Sequence, residues 1–120
     1  MEIAIIAHDG KKAEMVQFLN EHKEILHKKG INLISTGTTG EKVIKAGFSV
    51  HALMSGPLGG DAQIAARVAE GKCNMVLFFR DPLDRHPHEP DILMLMRLCD
   101  VHNVPLATNP ASADLLVKSL

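Results

Sequence analysis

Apolar residues along this 120-residue chain alternate between two spacings, and the alternation predicts strands and helices in turn. Glu2 to Ala7 carries a nearly continuous apolar run, which suits a strand covered on both faces. After the polar turn His8-Asp9-Gly10-Lys11-Lys12, residues Met15, Val16, Leu19, Ile25 and Leu26 fall near helical spacing. They predict a helix over 13–29 with Gly30 as its stop. The unit then repeats. Ile31 to Ser35 reads as a second strand, 36–40 as a turn, 41–46 as a short helix ended by Gly47, and Phe48 to Met54 as a third strand.

A glycine-rich loop, Met54-Ser55-Gly56-Pro57-Leu58-Gly59-Gly60-Asp61, leads into a helix over 61–70 that turns Ile64, Ala65 and Val68 inward. Asn74 to Phe79 is a bulky fourth strand. A proline-rich loop from Pro82 to Pro90 precedes a helix over 91–102. Val104 to Ala107 is a short fifth strand, and Asn109-Pro110 opens a last helix with Asn as cap and Pro at the first helical position. Strands alternating with helices imply right-handed crossovers and a single α/β domain over 1–120, built as a three-layer α/β/α sandwich on a mostly parallel five-stranded sheet.

Composition narrows the function classes. Thirteen basic against fourteen acidic residues leave a net charge of −1, so no global field draws the chain to nucleic acid or membrane. With no Trp or Tyr and four Phe, little material exists for stacking bases. Cys73 and Cys99 have no metal-site or CxxC spacing and read as packing residues of a reducing compartment. The apolar N-terminus lacks a basic leader and a cleavage site, and no apolar run approaches membrane-spanning length, so a cytoplasmic chain is expected. His22, His27 and His102 fall within or beside helical patterns and are expected at the surface or half-buried.

In a parallel sheet the loops after the strands open on one edge, where ligands bind. That edge collects His8, Asp9 and Lys12, then Thr36 to Gly40, Ser55 to Asp61, Arg80 to Asp91, and Thr108 with Asn109. Thr36-Gly37-Thr38-Thr39-Gly40 sets three hydroxyls and two glycines where a helix begins, an anion cradle or simply a capped turn. It has neither P-loop nor GxGxxG spacing, so a single phosphate fits better than a nucleotide. Lys12 could supply the cation, and Ser55 with the Gly56 amide further donors. Asp61 reads by itself as a helix cap. In Asp84-Arg85-His86-Pro87-His88-Glu89-Pro90-Asp91 the histidines and acids raise a metal reading, but His-Pro-His lacks the i, i+4 register of a helical site. The alternative is one histidine, stiffened by prolines, acting as donor or acid.

Taken together, IAHDGKK, STGTTG, SGPLGGD, FFRDPL, PHEPD and TNPASAD, in this order along nearly the whole chain, resemble the methylglyoxal synthase family. The resemblance implies a Rossmann-like fold, a homohexamer, and conversion of dihydroxyacetone phosphate to methylglyoxal and phosphate with no metal or organic cofactor. It implies Asp61 as the base, His88 beside the carbonyl oxygen, and His8 in contact with substrate. By the same resemblance Lys12, Thr36, Gly37, Thr38, Thr39, Ser55 and Gly56 bind substrate, chiefly through its phosphate. Asp9, Asp81 and Asp91 match the other site carboxylates, with Asp91 assisting proton traffic. The same fold also serves regulatory domains, so the alternative is a non-catalytic phosphate- or nucleotide-sensing module. Such a module has no need for a base.

Overall fold

Five strands form one sheet in this computed structural model, which describes residues 1–28, 30–86 and 88–120. They are β1 (Glu2–Ala7), β2 (Asn32–Ser35), β3 (Val50–Ala52), β4 (Met75–Phe79) and β5 (Leu106–Ala107), ordered β3-β2-β1-β4-β5. Every neighbouring pair is parallel. The chain winds outward from β1 to β3, then returns to the other side of β1 for β4. This reversal leaves a crevice at the carboxyl ends of β1 and β4, the place where open α/β sheets bind ligands.

Alternation along β1 explains the layers. Ile3, Ile5 and Ala7 face a core made with Met15, Phe18, Leu19, Val43, Ala113 and Val117, which come from α1 (Lys12–Glu21), α3 (Gly37–Lys45) and α6 (Pro110–Lys118). Ala4 and Ile6 face a second core with Ile64, Val68, Ile92, Leu95 and Cys99 from α4 (Gly60–Ala69) and α5 (Glu89–Val101). Successive strand residues point to opposite faces, so one apolar run serves both cores. Each fully buried Ile, Leu or Phe in them contributes about 1.5–3 kcal/mol of transfer free energy. Cys73 and Cys99 are free, buried thiols within the second core.

The helix expected over 13–29 is two pieces. It breaks at His22 between α1 and the single turn α2 (Lys23–Leu26); its expected end at Lys29 lies outside the described residues. His22 is buried, which corrects its expected surface or half-buried placement. Its Nδ1 lies 2.7 Å from the Phe18 carbonyl and its Nε2 2.6 Å from Asp114 Oδ1, so the ring fastens the break to α6. His27 and His102 are exposed.

Strand β3 is three residues long rather than seven, because it is an edge strand paired only with β2. Gly47 at φ +100° turns Phe48 into the core before pairing begins. Helix α3 starts four residues early, at Gly37, so Gly37-Thr38-Thr39-Gly40 forms its first turn. Glycine's low helix propensity hides this start. Crowding explains the glycines: a Cβ on Gly37 would lie 3.0 Å from the Leu53 carbonyl, and one on Gly40 2.4 Å from Ser35 Oγ. Helix α5 likewise starts at Glu89, with Pro90 tolerated in its first turn.

Candidate active site

The loops at the carboxyl ends of β1 to β4 enclose a cavity of about 190 Å³. Ile6, Ala7 and Phe78 contribute its apolar wall, and His8, Asp9, Lys12, Thr36, Thr38, Asp61, His86 and His88 its polar groups. Gly56 and Pro57 complete the lining.

Asp61 is the chemical centre of this cavity. It stands second in α4, after Gly59 at φ +111° and Gly60, and makes no capping hydrogen bond. The expectation of a helix cap is therefore corrected. Gly60 is required sterically: a Cβ there would fall 2.0 Å from the Met54 carbonyl oxygen, so only glycine lets α4 begin against this loop. The Asp61 side chain is fully buried, and neither carboxylate oxygen has a hydrogen-bond partner. Its Oδ2 lies 3.3 Å from His88 Nε2. Burial pushes the Asp61 pKa up; His88 opposes the rise and the negative charge of Asp91 adds to it. A buried carboxylate without a hydrogen bond costs stability and is free to exchange a proton with a ligand.

His8 supplies a second oriented group. Its Nδ1 accepts the Asp81 backbone N–H at 2.9 Å, which leaves the proton of the neutral ring on Nε2. That Nε2 is buried and without a partner. Burial, followed by the charges of His86, His88 and Arg80, lowers the His8 pKa to about 4. His8 is thus a neutral N–H donor across the physiological range.

The side of the cavity opposite the histidines is built around α3 and Lys12. Lys12 is buried and donates through Nζ to Asp9 Oδ1 at 2.5 Å and to Thr38 Oγ1 at 2.6 Å. Thr36 and Thr38 flank the positive end of the α3 dipole, where anions are stabilised. Asp9 holds the ammonium from the solvent side, and Lys12 keeps its carboxyl below the usual range.

Not every expected residue meets the cavity. The Gly37 N–H already donates to the Met54 carbonyl at 3.0 Å. The Thr39 hydroxyl donates to the Ala7 carbonyl at 3.3 Å, tying α3 to β1. Ser55 accepts the Leu58 and Gly60 amides through its carbonyl at 3.0 and 2.9 Å, so it shapes the loop. Asp81 supports His8 through its backbone, and its Oδ1 accepts the Leu83 N–H at 3.1 Å. Asp91 is half-buried in the first turn of α5 and acts on Asp61 through its charge. His86, one of the two histidines the sequence leaves open as a donor or acid, lines the cavity; sequence reasoning missed Ile6 and Phe78, which are visible only once β1 and β4 are known to be neighbours. Pro87 lies outside the described residues. Among the described residues no three His, Cys, Asp or Glu side chains converge as a metal site.

A desolvated carboxylate beside an imidazole, with a buried ammonium and a threonine-lined helix start across a small cavity, defines a class: α/β domains whose sheet-edge site has the groups to move a proton and to hold an anion. Comparison with known proteins narrows the class. A family model described as MGS-like domain matches residues 14–108. The methylglyoxal synthase of Moorella thermoacetica is 54% identical over 119 residues, covering 98% of this chain and 91% of the relative. That of Lysinibacillus sphaericus is 55% identical over 121 residues, covering 100% of this chain and 89% of the relative. The crystal structure of methylglyoxal synthase from Elizabethkingia anophelis NUHP1 superposes with a TM-score of 0.90 at 42% identity, covering 97% of this chain and 76% of that one. The chain belongs to the methylglyoxal synthase family.

Proposed function

We propose that this protein is a carbon–oxygen lyase that converts dihydroxyacetone phosphate to methylglyoxal and inorganic phosphate. The observation that carries the reading is Asp61, buried and without a hydrogen bond, 3.3 Å from His88 in the same cavity as the Lys12 and Thr38 anion cradle.

The phosphate rests on Lys12, Thr36, Thr38 and the first turn of α3, with the Gly56 backbone closing over the substrate. Asp61 takes a proton from the hydroxymethyl carbon beside the carbonyl, and the electron pair moves onto the carbonyl oxygen. A ketone-activated carbon is a weak acid, so the base has to be positioned and the growing oxyanion held. Burial raises the basicity of Asp61, and the His8 Nε2–H and His88 are the donors nearest that oxygen. Positioned proton transfer is worth roughly 10²- to 10⁴-fold, and oxyanion stabilisation a comparable share.

The enediol(ate) then expels phosphate. An O–H proton leaves, its electron pair becomes a carbonyl, the carbon–carbon double bond shifts, and the C–O bond to phosphate breaks. The enol so formed ketonises to methylglyoxal. Expulsion requires the breaking C–O bond to stand perpendicular to the enediolate plane, and a cradle fixed on α3 and Lys12 sets that torsion. Asp91 adjusts proton traffic by its charge on Asp61; Gly37, Thr39 and Ser55 hold the cradle's shape. A non-catalytic sensing module accounts for the cradle and leaves Asp61 unexplained, since a buried carboxylate beside an anion site weakens anion binding.

Among the described residues no helix is long and apolar enough to cross a membrane. Two free thiols fit a cytoplasmic location. Leu58, Leu83 and Leu93 are exposed apolar side chains, Leu83 at 96%, and they fit burial between subunits of a homohexamer. Incubation with dihydroxyacetone phosphate should release equimolar phosphate and methylglyoxal with or without chelator. Release of neither product would overturn the lyase reading.

A further inference from the structure

The His8 ring is gripped on three sides. The Phe78 ring meets it edge-on, with centroids 5.1 Å apart and planes at 80°. The Asp81 N–H holds Nδ1. On the remaining side the His86 ring lies flat against it, with centroids 3.6 Å apart and planes within 25°. His86 also meets His88 edge-on at 5.7 Å, so it fills the corner between both site imidazoles. Its own Nε2 is buried and without a partner. A second cavity of about 370 Å³, lined by Arg80, Asp81, Asp84, Arg85 and Glu89, lies behind this pair, and His8 and His86 line both cavities.

We propose that His86 is a positioning residue for the reaction: its ring, laid on His8, divides the two cavities and keeps the His8 Nε2–H aimed into the catalytic one. The proposal rests on His8 being a substrate donor. Ring stacking restricts the one torsion that the Asp81 hydrogen bond leaves soft, rotation of the imidazole about that bond. His8 lines both cavities, and the His86 ring over it keeps water of the second cavity from the buried Nε2, where it would weaken the hydrogen bond to substrate. Two stacked imidazoles resist carrying two charges, so the arrangement favours a neutral His8. The titratable and charged groups around His8 are Asp9 and Lys12 after β1, Asp61 across the cavity, Arg80, Asp81, His86 and His88 from the segment between β4 and α5, and Glu89 at the start of α5. Of these, His86, His88 and Arg80 disfavour the imidazolium and Glu89 favours it, behind the larger effect of burial.

The test combines kinetics with ¹⁵N spectra of the histidine rings. In the unaltered protein His8 should remain an Nε2–H tautomer with its titration midpoint near 4. His86→Ala opens the partition and removes the stack. It should lower kcat about tenfold, move the His8 midpoint towards the ordinary value, and raise the pH of the acid limb of kcat. His86→Phe keeps a flat ring and the burial; it should recover kcat to within about threefold and retain the low midpoint. The Phe variant also decides the matter if the Ala variant does not fold, since a midpoint and kcat unlike those of the parent would then overturn the proposal. An unchanged His8 spectrum and kcat in folded His86→Ala, beside an impaired His8→Ala, would overturn the proposal alone. Full turnover in His8→Ala would overturn both the proposal and the donor role beneath it.

Discussion

Gly56 is the position at which a single methyl group tests the catalytic pair. Its backbone has no left-handed φ, so alanine brings no conformational strain. A Cβ there would lie 3.1 Å from His88 Nε2 and 3.2 Å from Asp61 Oδ2, a few tenths of an ångström inside ordinary van der Waals contact. Those two groups therefore have to give way. A misplacement of about 1 Å at a reacting centre costs roughly 10²-fold, so a shift of a few tenths in Gly56→Ala should lower kcat about 3- to 10-fold. Gly56→Val adds two methyl groups on the same vector and should lower kcat roughly 10²-fold, equivalent to about 2.7 kcal/mol of transition-state stabilisation. Thermal stability should change little, because Gly56 sits in a half-exposed turn. The assay is a steady-state measurement of phosphate release for both variants beside a melting curve. Wild-type kcat in a folded Gly56→Val protein would refute the idea that the approach of Asp61 to His88 matters to the reaction.

Three other outcomes are expected. Lys12→Met removes the buried ammonium from the cradle; at roughly 1.5–3 kcal/mol for a charge-assisted hydrogen bond, KM for the phosphorylated substrate should rise about 10- to 100-fold, and an unchanged KM would move the phosphate elsewhere. Asp61 can accept a proton only when ionised, and its pKa is raised, so kcat/KM should fall as pH drops through a value above the ordinary carboxylate range; a profile flat down to pH 4 would count against Asp61 as base. The same shift means that Asp61 holds its proton more tightly in the folded state, so its contribution favours folding below its unfolded pKa and is lost as pH rises through the folded one. His22→Leu should cost about 1–3 kcal/mol in a denaturant titration by cutting the link from α1 to α6, with kcat intact; a kcat change there would tie that distant joint to the site.

Much of this architecture is legible in the chain because apolar runs as continuous as Ile3 to Ala7 leave few alternatives to a doubly covered strand. What propensity hides is context. Gly37 and Gly40 read as a turn because glycine weakens helices, yet the first turn of α3 has no room for side chains against Leu53, Ala52 and Ser35. His22 reads as a surface or half-buried residue until α6 brings Asp114 to it across 92 positions of chain. At the site, residue types such as Lys12, Thr38 and Asp61 indicate an anion and a carboxylate at one sheet edge. They carry no statement of which threonine lines the cavity: Thr36 and Thr38 do, and the Thr39 hydroxyl turns back to Ala7. Asp61 looks like any capping aspartate, because its lack of a partner is a property of the packed structure alone.

Whether Asp61 is the base is tested most sharply by the turnover of Asp61→Asn beside its binding of a phosphate-bearing hydroxamate that mimics the enediolate. The amide keeps the shape and cannot accept the proton. With Asp61 as base, kcat should fall by at least about 10²-fold with the mimic still bound. Wild-type turnover in a folded Asp61→Asn protein would contradict that role and place the base elsewhere.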